Sequence, residues 1–234
     1  MNNNKILCVI PARGGSKGIP HKNIKELNGK PLIYYSINVA RKIFKDEDIC
    51  ISTDDDEIIK IVEKCGLKVP FKRPSELATD TATTNDVLLH ALNFYESKNI
   101  FYDMIVLLQP TSPLRTVQHV KDAISLYHEG IDMVVSVEES SSNPYYNLFE
   151  EDEFGFLHIS KGNGMFTRRQ DAPMVWKYNG SIYIISCRSL KKCKISDFTR
   201  KVKFPMKDIY SVDIDSKIDW MIAENFLKNV VKST

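Results

Sequence analysis

Residues 11–23 read Pro11-Ala12-Arg13-Gly14-Gly15-Ser16-Lys17-Gly18-Ile19-Pro20-His21-Lys22-Asn23. They follow an apolar run over residues 6–10, which predicts a buried strand. Three glycines allow the backbone to approach a ligand, and Arg13, Lys17 and Lys22 add positive charge. Backbone N–H groups beside lysine and arginine are typical of sites that bind a polyphosphate. No Gly-Lys-Ser/Thr closes the loop, so it is not a Walker A motif, and a basic surface turn is the alternative.

Short apolar runs alternate with helical patterns along the rest of the chain. Strands are predicted over residues 5–10, 48–52, 104–108, 133–137, 181–185 and 210–213. Helices are predicted over residues 31–44, 54–64, 85–97 and 117–128, and after Ser216, where Asp219 completes a capping-box pair. We therefore predict an α/β fold of three layers, in which a mostly parallel, Rossmann-like sheet is covered by helices on both faces.

Polar loops follow three of the predicted strands. The glycine-rich loop, Ser52-Thr53-Asp54 and Leu108-Gln109-Pro110-Thr111 all begin where an apolar run ends. Because ligands of parallel sheets bind beyond the carboxyl ends of the strands, we expect these loops to surround one crevice. Asp54 is expected to line it, whereas Asp55 and Asp56 are expected to stabilise the N-terminus of the following helix.

Residues 140–176, the excursion, depart from this alternation. They begin with Ser140-Ser141-Ser142-Asn143-Pro144, which is typical of a loop, and continue with short aromatic and irregular runs. The chain is predicted to form a single domain over residues 1–234, with the excursion leaving its main sheet.

Composition limits the possible classes of function. At 234 residues, with 43% hydrophobic and 26% charged residues, the chain is typical of a globular protein with one large core. A net charge of +2 gives no indication of a nucleic-acid partner. No apolar run is long enough to cross a membrane, and the start lacks the apolar segment of a signal peptide. Five cysteines without Cys-x-x-Cys spacing indicate reduced thiols, so we expect a cytoplasmic location.

Two acids near the C-terminus, Asp213 and Asp215, form an Asp-x-Asp motif. In the strand predicted there, residues two apart face the same side, so both carboxylates point away from the core. Adjacent carboxylates repel each other unless a cation lies between them. Because Mg²⁺ prefers one or two carboxylates together with phosphate oxygens and water, a Mg²⁺–nucleotide site is predicted. A water-facing strand edge is the alternative.

The glycine-rich loop resembles the signature of the CMP-sialic acid synthetases, or acylneuraminate cytidylyltransferases. That family shows Ala-Arg-Gly-Gly-Ser-Lys-Gly-Ile-Pro-x-Lys-Asn in the same place. Further strings that resemble the family follow in chain order: Ser52-Thr53-Asp54, Arg73-Pro74-Ser75-Glu76-Leu77, Asp80-Thr81-Ala82-Thr83, Gln109-Pro110-Thr111-Ser112-Pro113, Arg168-Arg169-Gln170-Asp171, Asn179-Gly180-Ser181-Ile182-Tyr183 and Ser211-Val212-Asp213-Ile214-Asp215. No single string is decisive, but the ordered set is specific and covers nearly the whole chain.

The resemblance implies a nucleotidyltransferase or GT-A-like fold with a small dimerisation extension at the excursion. It implies a homodimer in which the tip of the extension reaches the partner's active site. The implied reaction joins CTP to a nine-carbon α-keto acid sugar and gives a CMP-sugar and pyrophosphate. The C2 hydroxyl of the sugar attacks the α-phosphorus, and Mg²⁺ is the implied cofactor.

The resemblance also implies roles for individual residues. Arg13, Ser16 and Lys17 would hold the phosphates, Lys22 would stabilise charge on the α-phosphoryl group, and Asp213 and Asp215 would hold Mg²⁺. The catalytic residues would be Arg13, Lys17, Lys22 and Asp215. The rest of the nucleotide site would consist of Asn23 at the ribose, Arg73 and Thr84 at the cytosine edge, and Ala82. An arginine and a hydroxyl can read that edge by hydrogen bonds, although a surface arginine beside hydroxyls that cap the next helix is the alternative.

For the sugar, the resemblance implies that Arg169 binds the carboxylate, for which a guanidinium is a natural bidentate partner. Gln109, Asn179 and Tyr183 would surround the sugar's hydroxyl and acyl groups. N-acetylneuraminic acid is the first expectation and legionaminic acid the second. A glycosyltransferase that uses Asp-x-Asp for a nucleotide-sugar metal, and a regulator that binds nucleotides without catalysis, are more distant alternatives.

Overall fold

The computed structural model describes residues 4–16 and 18–229 of the chain. Its strands are β1 (Ile6–Pro11), β2 (Glu26–Leu27), β3 (Lys30–Pro31), β4 (Ile49–Ser52), β5 (Met104–Leu108), β6 (Met133–Glu139), β7 (Phe149–Glu151), β8 (Leu157–Ile159), β9 (Trp176–Ser186) and β10 (Lys201–Pro205). Its α-helices are α1 (Leu32–Arg41), α2 (Asp56–Lys64), α3 (Thr84–Glu96), α4 (Val117–Ser125), α5 (Cys187–Lys192) and α6 (Lys217–Asn229).

The main sheet has six strands in the order β10-β6-β9-β5-β1-β4. β1 pairs in parallel with β4 and β5, and β10 pairs in parallel with β6. Only β9 runs against its neighbours, since it is antiparallel to both β5 and β6. The predicted mostly parallel sheet is therefore confirmed, with one reversed strand near its centre.

Helices cover both faces of this sheet. Alternate residues of β1 enter two different apolar clusters: Cys8 and Ile10 pack with α1, α2 and α4, whereas Leu7 and Val9 pack with α3 and α5. All four side chains are fully buried, and burying a large aliphatic side chain contributes about 1.5–3 kcal/mol. The three-layer α/β architecture expected from the sequence is confirmed.

A third apolar cluster joins α6 to the loops at one edge of the sheet. Trp220 and Leu227 of α6 pack with Ile19, which belongs to the glycine-rich loop, and with Ile214. The cluster therefore anchors two distant segments, residues 18–27 and 210–215, on the same helix.

The helix predictions agree with the structure to within a few residues at each end. Asp55 caps α2 by accepting hydrogen bonds from the backbone N–H groups of Glu57 and Ile58. The expected pair at the last helix is also present, since Ser216 Oγ accepts from the backbone N–H of Asp219 at 3.3 Å and the Asp219 carboxylate accepts in return. The short helix α5 was not predicted.

The predicted strand over residues 210–213 is wrong. This segment is an irregular loop that follows a 3₁₀ turn (Asp208–Tyr210), and Ile214 N donates to Thr111 O at 2.9 Å. The remaining strand of the sheet is instead β10, at its edge, where Lys201 and Lys203 occupy exposed positions. Edge strands often carry lysines because charge opposes pairing with another chain, and this strand was not predicted from the sequence.

The excursion shares a single residue with the main sheet, Trp176, which is the first residue of β9. Its own strands, β7 and β8, pair with each other in an antiparallel ribbon. Several of its apolar side chains are exposed, including Phe154 (75%) and Phe156 (66%). Among the described residues, no helix combines the length and apolarity needed to cross a bilayer.

Candidate active site

A cleft of about 620 Å³ opens beyond the carboxyl ends of β1 and β5, and Asp54, which was expected to line it, is not among its lining residues. The structure brings together in its lining ten residues that the sequence singled out: Arg13, Ser16, Lys22, Asn23, Arg73, Ala82, Thr84, Gln109, Asp213 and Asp215. Lys17, the other predicted catalytic lysine, lies outside the described residues. The predicted crevice is thus a real feature of the fold, although the roles of its residues stay predictions.

The glycine-rich loop is held by hydrogen bonds at its base. Asn23 Nδ2 donates to the carbonyl of Arg13 at 3.0 Å, and Gly14 N donates to Asp54 Oδ1 at 3.2 Å. Asn23 is only 5% exposed. A side chain at Gly18 would overlap the backbone carbonyl of Asp215, so this glycine permits the loop to approach the acidic segment closely.

Each described cation of this loop pairs with a carboxylate across the cleft. Lys22 Nζ donates to Asp215 Oδ1 at 3.0 Å and to the carbonyl of Ile214 at 2.6 Å. Arg13 Nη1 donates to Asp80 Oδ1 at 2.9 Å. Because the Lys22 side chain is only 12% exposed, its ammonium has a fixed position at the acidic segment.

Asp213 is the more buried of the two predicted metal ligands. Its Oδ1 atom has no hydrogen-bond partner among the described residues. Burial raises the pKa of Asp213, the charge of Asp215 adds to this shift, and Thr111 and the cations Lys22 and Arg115 oppose it. By contrast, the Asp215 side chain is 79% exposed.

These two carboxylates fit a magnesium ion. A buried carboxylate oxygen without a partner is costly unless a ligand satisfies it, and carboxylate oxygens are hard ligands that suit Mg²⁺. The described residues contain no cluster of three candidate metal ligands of the His, Cys, Asp or Glu type. The set therefore fits an ion that takes its remaining ligands from phosphate and water, as Mg²⁺ does at nucleotide sites.

Arg73 lies under the cleft and braces its floor. It is 5% exposed; Nη1 donates to the carbonyl of Leu77 at 3.2 Å, and Nη2 donates to that of Ser52. Its Nε has no partner among the described residues. Burial lowers the pKa of Arg73, while the charge of Asp54 opposes this shift. Two of the five N–H donors of the guanidinium are thus used to hold backbone carbonyls.

The hydroxyls near Arg73 divide into two kinds. Thr83 caps α3, since its side chain accepts from Asp86 N in a capping box. For this residue, the alternative that the hydroxyls cap the next helix is therefore confirmed. Thr84 lines the cleft and also a neighbouring pocket. Ala82 N donates to Thr79 Oγ1 at 3.2 Å, which fixes the turn that leads into α3.

The neighbouring pocket is apolar and measures about 300 Å³. It shares Thr84 and Gln109 with the cleft and is walled by Tyr178 and Tyr183, whose rings meet edge to face at 6.3 Å. Burial raises the pKa of Tyr183 to about 12, so its phenol is neutral at ordinary pH. A pocket of this kind beside a polar cleft can hold the apolar groups of a second substrate.

Two predicted sugar ligands lie elsewhere. Asn179 is 2% exposed and lines a third cavity, next to Asp213. Arg169 stands on an exposed turn of the excursion, with Nη2 at 3.3 Å from Glu139 Oε1 and 3.2 Å from the carbonyl of Ser140. Arg169 lines neither the cleft nor the apolar pocket, so one chain alone does not bring it to the other site residues.

Arg115 was missed by the sequence analysis. It is 3% exposed and donates to four acceptors, namely Ser36 Oγ and the carbonyls of Gln109, Ser112 and Ser181. It therefore ties the loop after β5 to α1 and β9. The only signal in the sequence was a cation directly after the apolar Leu114, in a loop that follows a buried strand.

Comparison with known proteins identifies the family to which this chain is similar. The family model described as cytidylyltransferase matches residues 7–225. An N-acylneuraminate cytidylyltransferase of Streptococcus agalactiae serotype V is 36% identical over 93% of this chain and 52% of its own length. This chain therefore spans about half of that relative. A CMP-N,N'-diacetyllegionaminic acid synthase of Legionella pneumophila is 33% identical over 96% of this chain and 97% of its own length.

The fold itself recurs in a solved structure of CMP:2-keto-3-deoxy-manno-octonic acid synthetase complexed with CTP. That structure covers 96% of this chain and 98% of its own, with a TM-score of 0.69 and 16% identity. At this identity the likeness concerns the fold alone.

Proposed function

Because this chain belongs to the cytidylyltransferase family, together with the CMP-sialic acid synthetases, we propose that it activates a nine-carbon keto-acid sugar with CTP. The products are a CMP-sugar and pyrophosphate. The observation that carries the proposal is the meeting of a glycine-rich cationic loop and two carboxylates in one cleft, where Lys22 contacts Asp215. Phosphoryl transfer needs positioning and neutralised charge, and this cleft offers both.

The nucleotide would lie with its triphosphate on the glycine-rich loop. Arg13, Ser16 and Lys17 would hold the phosphates, and Lys22 would place its charge at the α-phosphoryl group. Asn23 would reach the ribose from the base of the loop. Arg73 and Thr84 would read the cytosine edge, which is supported by the position of both residues in the lining of the cleft.

Asp213 and Asp215 would hold Mg²⁺. This assignment is supported by the unpartnered Oδ1 of Asp213 and by the exposure of Asp215 toward the cleft. When bound, Mg²⁺ supplies positive charge against the oxygens of the transferring phosphate. Lys22 contacts Asp215 and keeps a second positive charge at the same place.

The sugar would lie in the apolar pocket beside Gln109 and Tyr183. Its C2 hydroxyl would attack the α-phosphorus of CTP, so that a new P–O bond forms while the bond to pyrophosphate breaks. N-acetylneuraminic acid is our first proposal for the sugar. Legionaminic acid is the second, because a relative that matches over 97% of its own length is named for the synthesis of CMP-N,N'-diacetyllegionaminic acid.

The active protein would be a homodimer in which the excursion contacts the partner subunit. Two observations support this. Apolar residues of the excursion are exposed, including Phe149, Phe154 and Leu157 at 54%, 75% and 65%, which is typical of an interaction surface. Arg169 lies away from its own cleft, so the sugar carboxylate would meet Arg169 of the partner. We also propose a cytoplasmic location, where CTP is available.

One assay tests this function directly. Pyrophosphate release is followed with CTP, Mg²⁺ and a panel of N-acetylneuraminic, legionaminic and pseudaminic acids and 2-keto-3-deoxy-manno-octonic acid. We expect release that requires both CTP and a nine-carbon sugar, with N-acetylneuraminic or legionaminic acid preferred. If none of the nine-carbon sugars supported pyrophosphate release, the result would contradict the proposal. A glycosyltransferase would instead consume a ready-made CMP-sugar without forming pyrophosphate.

A further inference from the structure

The pairing between β6 and β9 is interrupted beside the active site. Val135 pairs with Tyr183 and Val137 pairs with Tyr178. Between these pairs, Ser136 alone stands opposite residues 179–182. Such a bulge turns side chains away from the ordinary alternation of a strand. Here it places the amide of Asn179 in the interior, where only 2% of the residue is exposed.

The hydrogen bonds of this amide all lead to other parts of the protein. Asn179 Oδ1 accepts from Ser136 Oγ at 2.6 Å and from Ser181 N at 3.2 Å. Asn179 Nδ2 donates to Ser211 Oγ at 2.9 Å, and this hydroxyl donates to the carbonyl of Lys207 at 3.1 Å. Since an amide oxygen has two lone pairs, Oδ1 has no capacity left for a ligand.

The next residue, Gly180, faces the carboxylate of Asp213. Its φ is +72°, in the left-handed region that favours glycine, and a Cβ added there would overlap Asp213 Oδ2. Asp213 therefore lies directly over the backbone of β9. Two residues earlier in the same loop, Ser211 is tied to Asn179.

We propose that Asn179 is a positioning residue for Asp213 and does not bind the sugar. Its amide fixes the start of the 211–215 loop through Ser211, while Gly180 leaves the space that the Asp213 carboxylate occupies. The unpartnered Oδ1 of Asp213 is thereby held in place for a ligand. This inference rests on the proposed function, in which Asp213 holds the metal ion. It separates Asn179 from Gln109 and Tyr183, which line the apolar pocket.

The test uses two variants of the full chain, Asn179→Ser and Ser211→Ala. Ser211 is 7% exposed and lines neither the cleft nor the apolar pocket, and its substitution removes one hydroxyl only. Ser189→Ala is the matched control, because it also removes a single hydroxyl, which donates to Asp132 Oδ1 at 2.8 Å, but at the opposite end of the sheet. Circular dichroism confirms that each variant is folded.

The first readout is the affinity for Mn²⁺ in the presence of CTP and without sugar, measured by electron paramagnetic resonance. The second readout is the KM for the sugar. Loss of a residue that orients a metal ligand typically weakens metal affinity by about 10- to 100-fold. We expect a loss of about tenfold in Mn²⁺ affinity for both variants and for their combination, with sugar KM changed less than about twofold. Ser189→Ala should match the wild type.

A raised sugar KM with unchanged Mn²⁺ affinity in Asn179→Ser would overturn the inference and leave the proposed function intact. Unchanged Mn²⁺ affinity in Ser211→Ala would overturn it as well. If the wild-type protein with CTP bound no Mn²⁺, the metal assignment itself would be wrong, and the inference would fail with it.

Discussion

The cleft and the excursion are built in opposite ways. In the cleft, charged groups of one chain meet each other: Lys22 contacts Asp215, and Arg13 contacts Asp80. In the excursion, apolar groups meet solvent, since Phe154 and Phe156 are 75% and 66% exposed. Folding of one chain therefore assembles the cleft but leaves these apolar side chains of the excursion exposed. We propose that binding CTP is a property of the single chain, whereas binding the sugar carboxylate requires two chains.

The acidic segment provides the largest expected effect. Asp213→Asn keeps the shape of the side chain but removes its charge. We expect kcat to fall by about a hundredfold or more, because a metal ion supplies several kcal/mol of charge stabilisation in the transition state. The fold should be retained. Asp122→Asn, at an exposed position of α4, is the control. Near-normal turnover of Asp213→Asn at limiting Mg²⁺ would show that the cleft does not work as described.

Arg115 tests whether the cleft is part of the folded core. Arg115→Met leaves the carbonyls of Ser112 and Ser181 without their guanidinium donor, whereas the carbonyl of Gln109 still accepts from Ser36 Oγ. Each unsatisfied buried group costs about 1–3 kcal/mol, so the free energy of unfolding should fall by about 2–4 kcal/mol in urea titrations. Arg41 donates to Asp46 and to the carbonyl of Cys65 nearer the surface, so Arg41→Met should cost about 1–2 kcal/mol, less than Arg115→Met. Equal losses in the free energy of unfolding for the two variants would show that Arg115 stabilises the fold no more than Arg41 does.

Arg169 tests the proposal that binding the sugar carboxylate requires two chains. Arg169→Ala should raise the sugar KM by about ten- to a hundredfold, since a hydrogen bond to a charged group contributes roughly 1.5–3 kcal/mol. CTP affinity in calorimetry should stay nearly unchanged. Mixing refolded Arg169→Ala and Lys22→Ala chains should restore about a quarter of the wild-type activity, because half of the dimers are mixed and each has one intact site. No recovery on mixing would mean that Arg169 does not act across subunits.

We expect the choice between CTP and UTP to depend on the cleft of a single chain. UTP presents an acceptor where CTP has the N4 donor, and a mispaired buried polar group costs about 1–3 kcal/mol. We expect kcat/KM for UTP to be about tenfold lower than for CTP. Arg73→Lys should reduce the preference for CTP over UTP, because lysine lacks the planar fork of arginine. Equal kcat/KM values for the two nucleotides in the wild-type protein would contradict the proposed role of Arg73.

The excursion should affect assembly with little effect on the nucleotide site. Phe156→Asp places a charge in the exposed apolar patch of β7 and β8. We expect light scattering at micromolar concentration to give a dimer mass for the wild type and a lower mass for the variant. CTP affinity should change by less than about twofold, the range expected for a surface substitution away from the site. A monomeric wild-type protein with full sugar turnover would contradict the proposal that the sugar site requires two chains.

Much of the fold could be predicted because its strands are buried on both faces. Such strands form continuous apolar runs, as over residues 6–10 and 104–108, and their loops meet at one edge of the sheet. The edge strand β10 was missed because half of its residues face water, so its lysines obscured the pattern. The segment over residues 210–213 imitates a strand, yet α6 and Thr111 hold it as a loop through Ile214.

The candidate site was predictable where chemistry is carried by side-chain type, as at Asp213 and the glycine-rich loop. Contacts that depend on the tertiary structure were not predictable. The bonds of Arg115 run to backbone carbonyls, which leave no trace in the sequence. The burial of Asn179 follows from a bulge that no pattern in the sequence announced. Sequence motifs thus located the cleft, while the structure separated residues that line it from those that support it.

The central claim is that the C2 hydroxyl of the sugar attacks the α-phosphorus of CTP in this cleft. It is tested by turnover of N-acetylneuraminic or legionaminic acid labelled with ¹⁸O at the C2 hydroxyl, followed by mass spectrometry of both products. We expect the label in the CMP-sugar, in the oxygen that joins C2 to phosphorus, and none in pyrophosphate. Label in pyrophosphate, or no CMP-sugar from either acid, would contradict the account.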